Sequence, residues 1–283
     1  MKTEIQPVRP SPIAGTWYSN DPNTLQQMVD AYIQNAVIPE LPGEVVGIVA
    51  PHAGYIYSGA VAGHAYQAVV GKTYDFVVVL SPSHQYYPQP ILTSAHSMYQ
   101  TPLGEIPIAA EQIAAINEAL VDRMGQAITP IANDREHSLE IELPFLQRAL
   151  RGPFELIPIM LRDQSRQVSK NLGLVLAEIL KDLSVLIVAS TDLSHFYPEA
   201  AAQRLDQKVL SALADFSPEG LYKLKDTGQG QACGLAAVAT TLWAARNIGA
   251  TRVTVLNYDT SASTTGDRSS VVGYGAAAIT RPY

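Results

Sequence analysis

The sequence has one cysteine, no cluster of basic residues and no long apolar run, and each shortage removes a class of protein. Cys233 is the single cysteine among 283 residues, so no disulfide can close within the chain, which suits a reducing compartment. Lys and Arg number 19 against 26 Asp and Glu, giving a formal net charge of −7. With no basic stripe, the electrostatic footprint of a nucleic-acid binder is missing, and the mild acidity favours solubility. The longest apolar stretches, VVGIVA and FVVVL, are strand-sized, well short of the roughly 20 residues that cross a bilayer as a helix. The opening MKTEIQPVRPSPIAG is polar and proline-rich and lacks the apolar centre of a secretory signal. These features lead to the expectation of a cytoplasmic chain with neither nucleic acid nor membrane as a partner. The glycine fingerprints of dinucleotide and nucleotide binding are absent too, as is the G-x-S-x-G elbow, so a serine-hydrolase reading has no nucleophile.

What is present is the composition of a globular protein: 47% apolar and 16% charged residues, ample for a large core without metal or disulfide staples. Short runs rich in β-branched residues at 45–50, 76–80, 156–161, 185–189 and 253–256 read as buried strands. Helical segments are expected at 60–70 (bounded by Gly59 and Gly71), 110–120, 139–150, 167–180, 200–213 and 234–245, with Pro144 kinking the third or marking a start. The alternation predicts an α/β fold with a mainly parallel central sheet and helices on both faces. Segment 93–108 interrupts it as an inserted hairpin. Segments 252–258 and 271–279 flank the loop SASTTGDRSS as closing antiparallel strands. No repeat, linker or low-complexity tract divides the chain, so residues 1–283 read as a single domain.

The chemistry-bearing residues follow the strands. VVGIVAP runs into His52, FVVVLSPS into His84, and LIVAST into Asp192, with His195 three residues later. In an open parallel sheet the loops after the carboxyl ends of strands share one edge, where ligands bind. A lone histidine in such a loop is ordinarily a hydrogen-bonded loop residue; three delivered to one edge point to a shared site. His64 and His96 lack this placement and receive no role. His137, in NDREHSLEIELPFL, is either a first-turn residue with Asp134 and Glu136 as acidic partners of a helix N-terminus or a fourth imidazole reaching the crevice. Cys233 follows a glycine-rich loop at a helix start. There it is either a small buried hydrophobe or a thiolate favoured by the helix dipole. Beside His52, Tyr55 and Tyr57 are positioned to hydrogen-bond a ligand or to close over the core.

The ordered motifs RPSPIAGTWYSNDPNTL, APHAGYIYSG, LSPSH, DREHSLEIELPFLQ, STDLSHFY and QACG together resemble the Memo family, whose bacterial and archaeal members are often called AmmeMemoRadiSam system protein B. The resemblance runs nearly end to end. It implies a fold similar to the class III extradiol (LigB-type) dioxygenases, non-haem iron enzymes. It also implies His52, His84 and Cys233 as metal ligands, His195 as acid/base, and Asp192 and His137 lining the same pocket. Tyr55 is expected to position a substrate. Two imidazoles and a thiolate are softer than the two-histidine, one-carboxylate set of the dioxygenases, so the implied metal is Fe(II) first, with Cu or Zn also suited. The expected activity is a metal-dependent, dioxygenase-like oxidoreductase acting on a small molecule. The alternatives are a zinc-type metallohydrolase and a non-catalytic phosphopeptide- or metal-binding protein, since an animal relative is associated with phosphotyrosine peptides. The family label further implies AMMECR-type and radical SAM proteins as partners.

Overall fold

The structure, a computed structural model, describes residues 6–283; the polar opening stretch read for a secretory signal lies partly outside them, in residues 1–5. In chain order the elements are β1 (Val8–Arg9), α1 (Pro22–Asn35), β2 (Glu44–Ala50), α2 (Tyr55–Gln67), β3 (Phe76–Pro82), β4 (Ile91–Ser94), β5 (Met98–Thr101), β6 (Gly104–Pro107), α3 (Ala110–Met124), β7 (Thr129–Ile131) and a 3-10 turn at Glu140–Glu142. They continue with α4 (Leu143–Ala149), β8 (Glu155–Leu161), α5 (Arg166–Leu180), β9 (Val185–Ser190), β10 (His195–Tyr197), α6 (Glu199–Ala214), α7 (Pro218–Asp226), α8 (Leu235–Asn247), β11 (Arg252–Thr260), α9 (Ala262–Thr265) and β12 (Val271–Arg281).

Strands β2, β9, β3 and β8 lie side by side and parallel at the centre of the main sheet. On one flank β4 runs antiparallel to β8 and carries β7. On the other, β12 runs antiparallel to β2 and pairs with both β10 and β11. A second small sheet joins β1, β5 and β6. This is the expected α/β architecture, with a parallel centre and antiparallel C-terminal strands. The apolar runs are continuous because both faces are covered. Val77, Val79, Leu186 and Val188 pack beneath α1, α2 and α4, while Val78, Leu80, Ile157 and Ile187 pack against α3, α5 and α8. The two-residue period of a strand assigns neighbours to opposite layers.

Several boundaries differ from the sequence reading. Helix α1 has no counterpart in it, although Asp21 caps its start by accepting from Thr24 N–H at 2.8 Å and Pro22 opens it. Leu25, Val29 and Ile33 are its buried stripe. Helix α2 begins at Tyr55 rather than residue 60. Gly59 is therefore interior to the helix: there and at Gly63, any Cβ would collide with Tyr32 of α1. The glycines let two helices approach closely instead of ending one. Helix α7, capped by Ser217, was also not anticipated. In the stretch 93–108, residues 98–107 form the hairpin, but 93–94 complete β4 of the main sheet. Pro144 sits in the first turn of α4, where the missing N–H is harmless.

Candidate metal centre

Pro51 follows β2, and the next residue, His52, lies over the edge of the sheet with only 2% of its surface exposed. Its Nδ1 is 2.8 Å from Ser190 Oγ at the end of β9. The Ser190 hydroxyl proton is already given to Ser138 C=O at 2.6 Å, so Ser190 Oγ accepts from His52 Nδ1–H and Nε2 is left as the unprotonated nitrogen. His84, after β3, is held the same way by a different partner: its Nδ1 is 2.9 Å from Glu136 Oε1. His84 is 38% exposed, so the group is open on that side. His137 Nδ1 is 3.3 Å from the same Glu136 oxygen. Ligand atoms of His52, His84 and His137 all lie within 4.8 Å of one another. The His84 and His137 rings stack at 4.7 Å, with His52 edge-on to both at 5.4 and 5.5 Å. Tying back Nδ1 through a carboxylate or hydroxyl fixes the tautomer and orients a metal-ligating imidazole.

Cys233 stands against His52, with Sγ 3.0 Å from Nε2, and Asp192 N–H donates to the sulfur at 3.2 Å. This close approach depends on Gly234, where a Cβ would strike Ser190 C=O. Among the described residues the tight ligand group is formed by the three imidazoles, and Cys233 touches it through His52 alone. The family resemblance implies Cys233 as a ligand with His137 lining the pocket; the geometry brings His137 into the tight group and leaves Cys233 against His52. Burial, aided by the charge of Asp192, pushes the Cys233 thiol well up. It is thus a neutral thiol in the metal-free protein, the helix-start effect being outweighed.

Electrostatics separate the histidines. Burial and the neighbouring His137 and His84 hold His52 well below its ordinary value. Burial also lowers His137, to about 4, against the pull of Glu136. His84 moves the other way: burial opposes it, but the hydrogen bond and charge of Glu136 raise it. Glu136 is driven low despite its own burial, by His84 and the Ser138 N–H. Asp192, buried and accepting from His52 N–H at 2.8 Å, is pushed up by burial to about 7. His195 opens β10 and donates Nδ1–H to Leu193 C=O at 2.9 Å, which leaves its Nε2 as an acceptor. Burial lowers it, and it is near enough for its charge to bear on His52.

Tyr55, expected to position a substrate, is 2% exposed and its hydroxyl donates to Ile141 C=O at 2.8 Å, while the residue also forms part of the wall of a neighbouring cavity. His96 donates Nδ1–H to Gln6 C=O and accepts from Asn133 N–H, a structural role, and His64 packs beside Asn257. Three contributors escaped the sequence reading. Glu136 backs His84. Trp17 stacks on His137 with centroids 4.0 Å apart. Arg9, 1% exposed, forms a two-pronged pair with Asp134 at 2.8 and 2.9 Å and bonds Glu140 at 2.6 Å and Glu136 C=O at 3.0 Å, fixing the loop that carries Glu136 and His137. An unpaired arginine in RPSPIAGTW and the run of acids from Asp134 to Glu142 were the available signals.

No helix among the described residues is long and apolar enough to cross a membrane. The description "Memo-like protein" matches residues 9–278. A MEMO1 family protein of Nitrosopumilus maritimus is 33% identical over 273 residues, covering 95% of this chain and 98% of its own. Proteins with the same name from Aquifex aeolicus and Thermotoga neapolitana are 34% and 33% identical, covering 94% and 96% of this chain and 97% and 99% of theirs. With three convergent imidazoles, two of them following β2 and β3, and similarity along nearly the whole length, the chain belongs to the Memo family.

Proposed function

We propose that the chain is a metal-dependent oxidoreductase, dioxygenase-like in chemistry and acting on a small molecule. Fe(II) is the first candidate metal, and Cu and Zn are also suited to the donors. The observation that carries the reading is the convergence of His52, His84 and His137 with the Nδ1–H of His52 and His84 tied back to Ser190 and Glu136. Neutral nitrogen donors with a soft thiol alongside suit a first-row transition metal. His52 and His84 would hold it, with His137 or Cys233 as third ligand. A bound iron or copper ion would supply the electron transfer that no side chain here provides. The chain's own residues supply the rest. His195, neutral near pH 7 with Nε2 free, takes up a proton. Asp192, titrating near neutrality, orients the His52 backbone and holds or releases a proton at its carboxyl group.

Elemental analysis of protein purified without chelators tests this. Stoichiometric iron or copper in the wild type, lost in His84→Ala, is the expected result, and full occupancy in both His52→Ala and His84→Ala would sink it. Comparing His137→Ala with Cys233→Ala identifies the third ligand. A zinc hydrolase is the second reading, favoured by one observation: three histidines are a catalytic zinc donor set. Full zinc occupancy and activity without oxygen would select it. The family resemblance also leads us to propose a cytoplasmic protein that associates with AMMECR-type and radical SAM partners, testable by co-purification of the three.

A further inference from the structure

Next to the imidazoles lies a cavity of about 630 Å³, within the size range of small-molecule sites. Its walls include Trp17, Ile56, Tyr57, Phe196, Val272 and Tyr274. It shares structure with the metal centre at three points. Trp17 is the ring stacked on His137, Ala53 and Gly54 directly follow His52, and Phe196 follows His195 with ring centroids 5.6 Å apart. Among the described residues, none that line it is charged; its polar groups are hydroxyls, such as Ser19, Thr265 and Ser270, and backbone.

Two features mark this cavity as more than a gap in packing. Phe196 has φ +65°, a left-handed conformation that residues with a Cβ seldom adopt, and its side chain is 75% exposed. An apolar ring held in water by an unfavourable backbone is not explained by core packing, and such outliers concentrate at ligand sites. Ile56 and Tyr57, 59% and 40% exposed, continue the same uncovered surface. The short helix α9 closes the rim, with Thr264 Oγ1 donating to Ile56 C=O at 3.0 Å.

We propose that this cavity binds an uncharged aromatic ring, seated among Trp17, Tyr57 and Phe196, and that it is the substrate-recognition side of the adjoining centre. The second half of that statement rests on the metal-dependent reading; the first does not. Aromatic walls favour offset or edge-on packing of a ring, and hydroxyls can pair with a neutral polar substituent. A carboxylate or phosphate would lose its water and gain no cation in return. The cavity therefore selects against anionic rings, including a phosphorylated tyrosine.

The test is quenching of tryptophan fluorescence by p-cresol at neutral pH, with benzoate, phenyl phosphate and cyclohexanol as comparison probes, on the full chain as purified. The other tryptophan, Trp243, is 3% exposed and does not line the cavity, so contact quenching by a ring seated there acts on Trp17. Saturable quenching by p-cresol is expected, with each comparison probe at least about tenfold weaker. Phe196→Gly, which suits the left-handed backbone and so keeps the fold, should weaken p-cresol by about fivefold or more. His84→Ala should still bind it. Benzoate or phenyl phosphate binding as tightly as p-cresol, equal binding by Phe196→Gly, or no saturable quenching would each overturn the proposal. Ring binding by a protein devoid of metal would leave the cavity assignment standing and remove the metal reading; metal uptake without ring binding would do the reverse.

Discussion

Substituting glutamine for Glu136 should cripple metal binding without removing any ligand. The carboxylate accepts from the backbone N–H groups of His84, His137 and Ser138 and from His84 Nδ1–H. Glutamine keeps the shape but offers one carbonyl oxygen and one NH2. If the NH2 faces His84 Nδ1, His84 must carry its proton on Nε2 and cannot ligate; if it faces the His84 backbone, two donors oppose each other. Loss of such a supporting partner weakens metal affinity by roughly 10–100-fold, about 1.4–2.7 kcal/mol. The pH dependence gives a second readout. Glu136 raises His84 above 6.5, so uptake by the wild type should fall as acidification protonates His84, and in Glu136→Gln that fall should move to lower pH. Stability shifts with its own sign. Glu136 is depressed in the fold, so its contribution is present above about pH 4.5 and is lost as pH falls through the folded value. Zinc titration against a chromogenic chelator at pH 7.5 and 6.0, with a melting curve as control, measures both effects. An unchanged affinity with an unchanged acid limb refutes the claim that Glu136 sets the His84 tautomer.

Two further outcomes follow from burial and packing. Glu142 is 1% exposed, bonded by Tyr66 O–H at 2.6 Å and pushed up by burial to about 8. Its raised value means that stability is full below about pH 4.5 and declines as pH rises toward 8, by up to about 3 kcal/mol between pH 5 and 8. Urea unfolding at both pH values should show that loss in the wild type and a flatter profile in Glu142→Gln; parallel profiles would contradict it. Gly63→Ala puts a Cβ into the Tyr32 backbone and should lower stability by about 1–3 kcal/mol with metal content per folded molecule unchanged; a neutral melting curve would show that α1 and α2 can part freely.

The strand ends were legible because hydrophobic runs stop abruptly at His52, His84 and Asp192, and the parallel sheet converts that pattern into proximity. Helix α1 carries its cap and proline in the sequence, but its buried stripe is only Leu25, Val29 and Ile33 among polar neighbours, a sparse pattern. Gly59 misled because glycine both ends helices and lets them touch, and only the Tyr32 contact distinguishes the two. Glu136 was hidden among acids suited to a helix start, and no helix begins there: the loop instead pairs Asp134 with Arg9 and Glu136 with His84. The aromatic cavity was illegible for another reason. Its walls come from residues 15–19, 28, 53–57, 196 and 261–274, stretches that share no local pattern and meet only in the folded chain.

Arg9 makes the centre depend on a residue far from it in the sequence. It clasps a loop 125 residues downstream, so the support behind His84 forms only when two stretches far apart in the sequence have come together. The same clasp is a vulnerability in the mature molecule: a proteolytic nick just beyond Pro10 would spare every ligand and the whole central sheet, yet slacken the support behind His84.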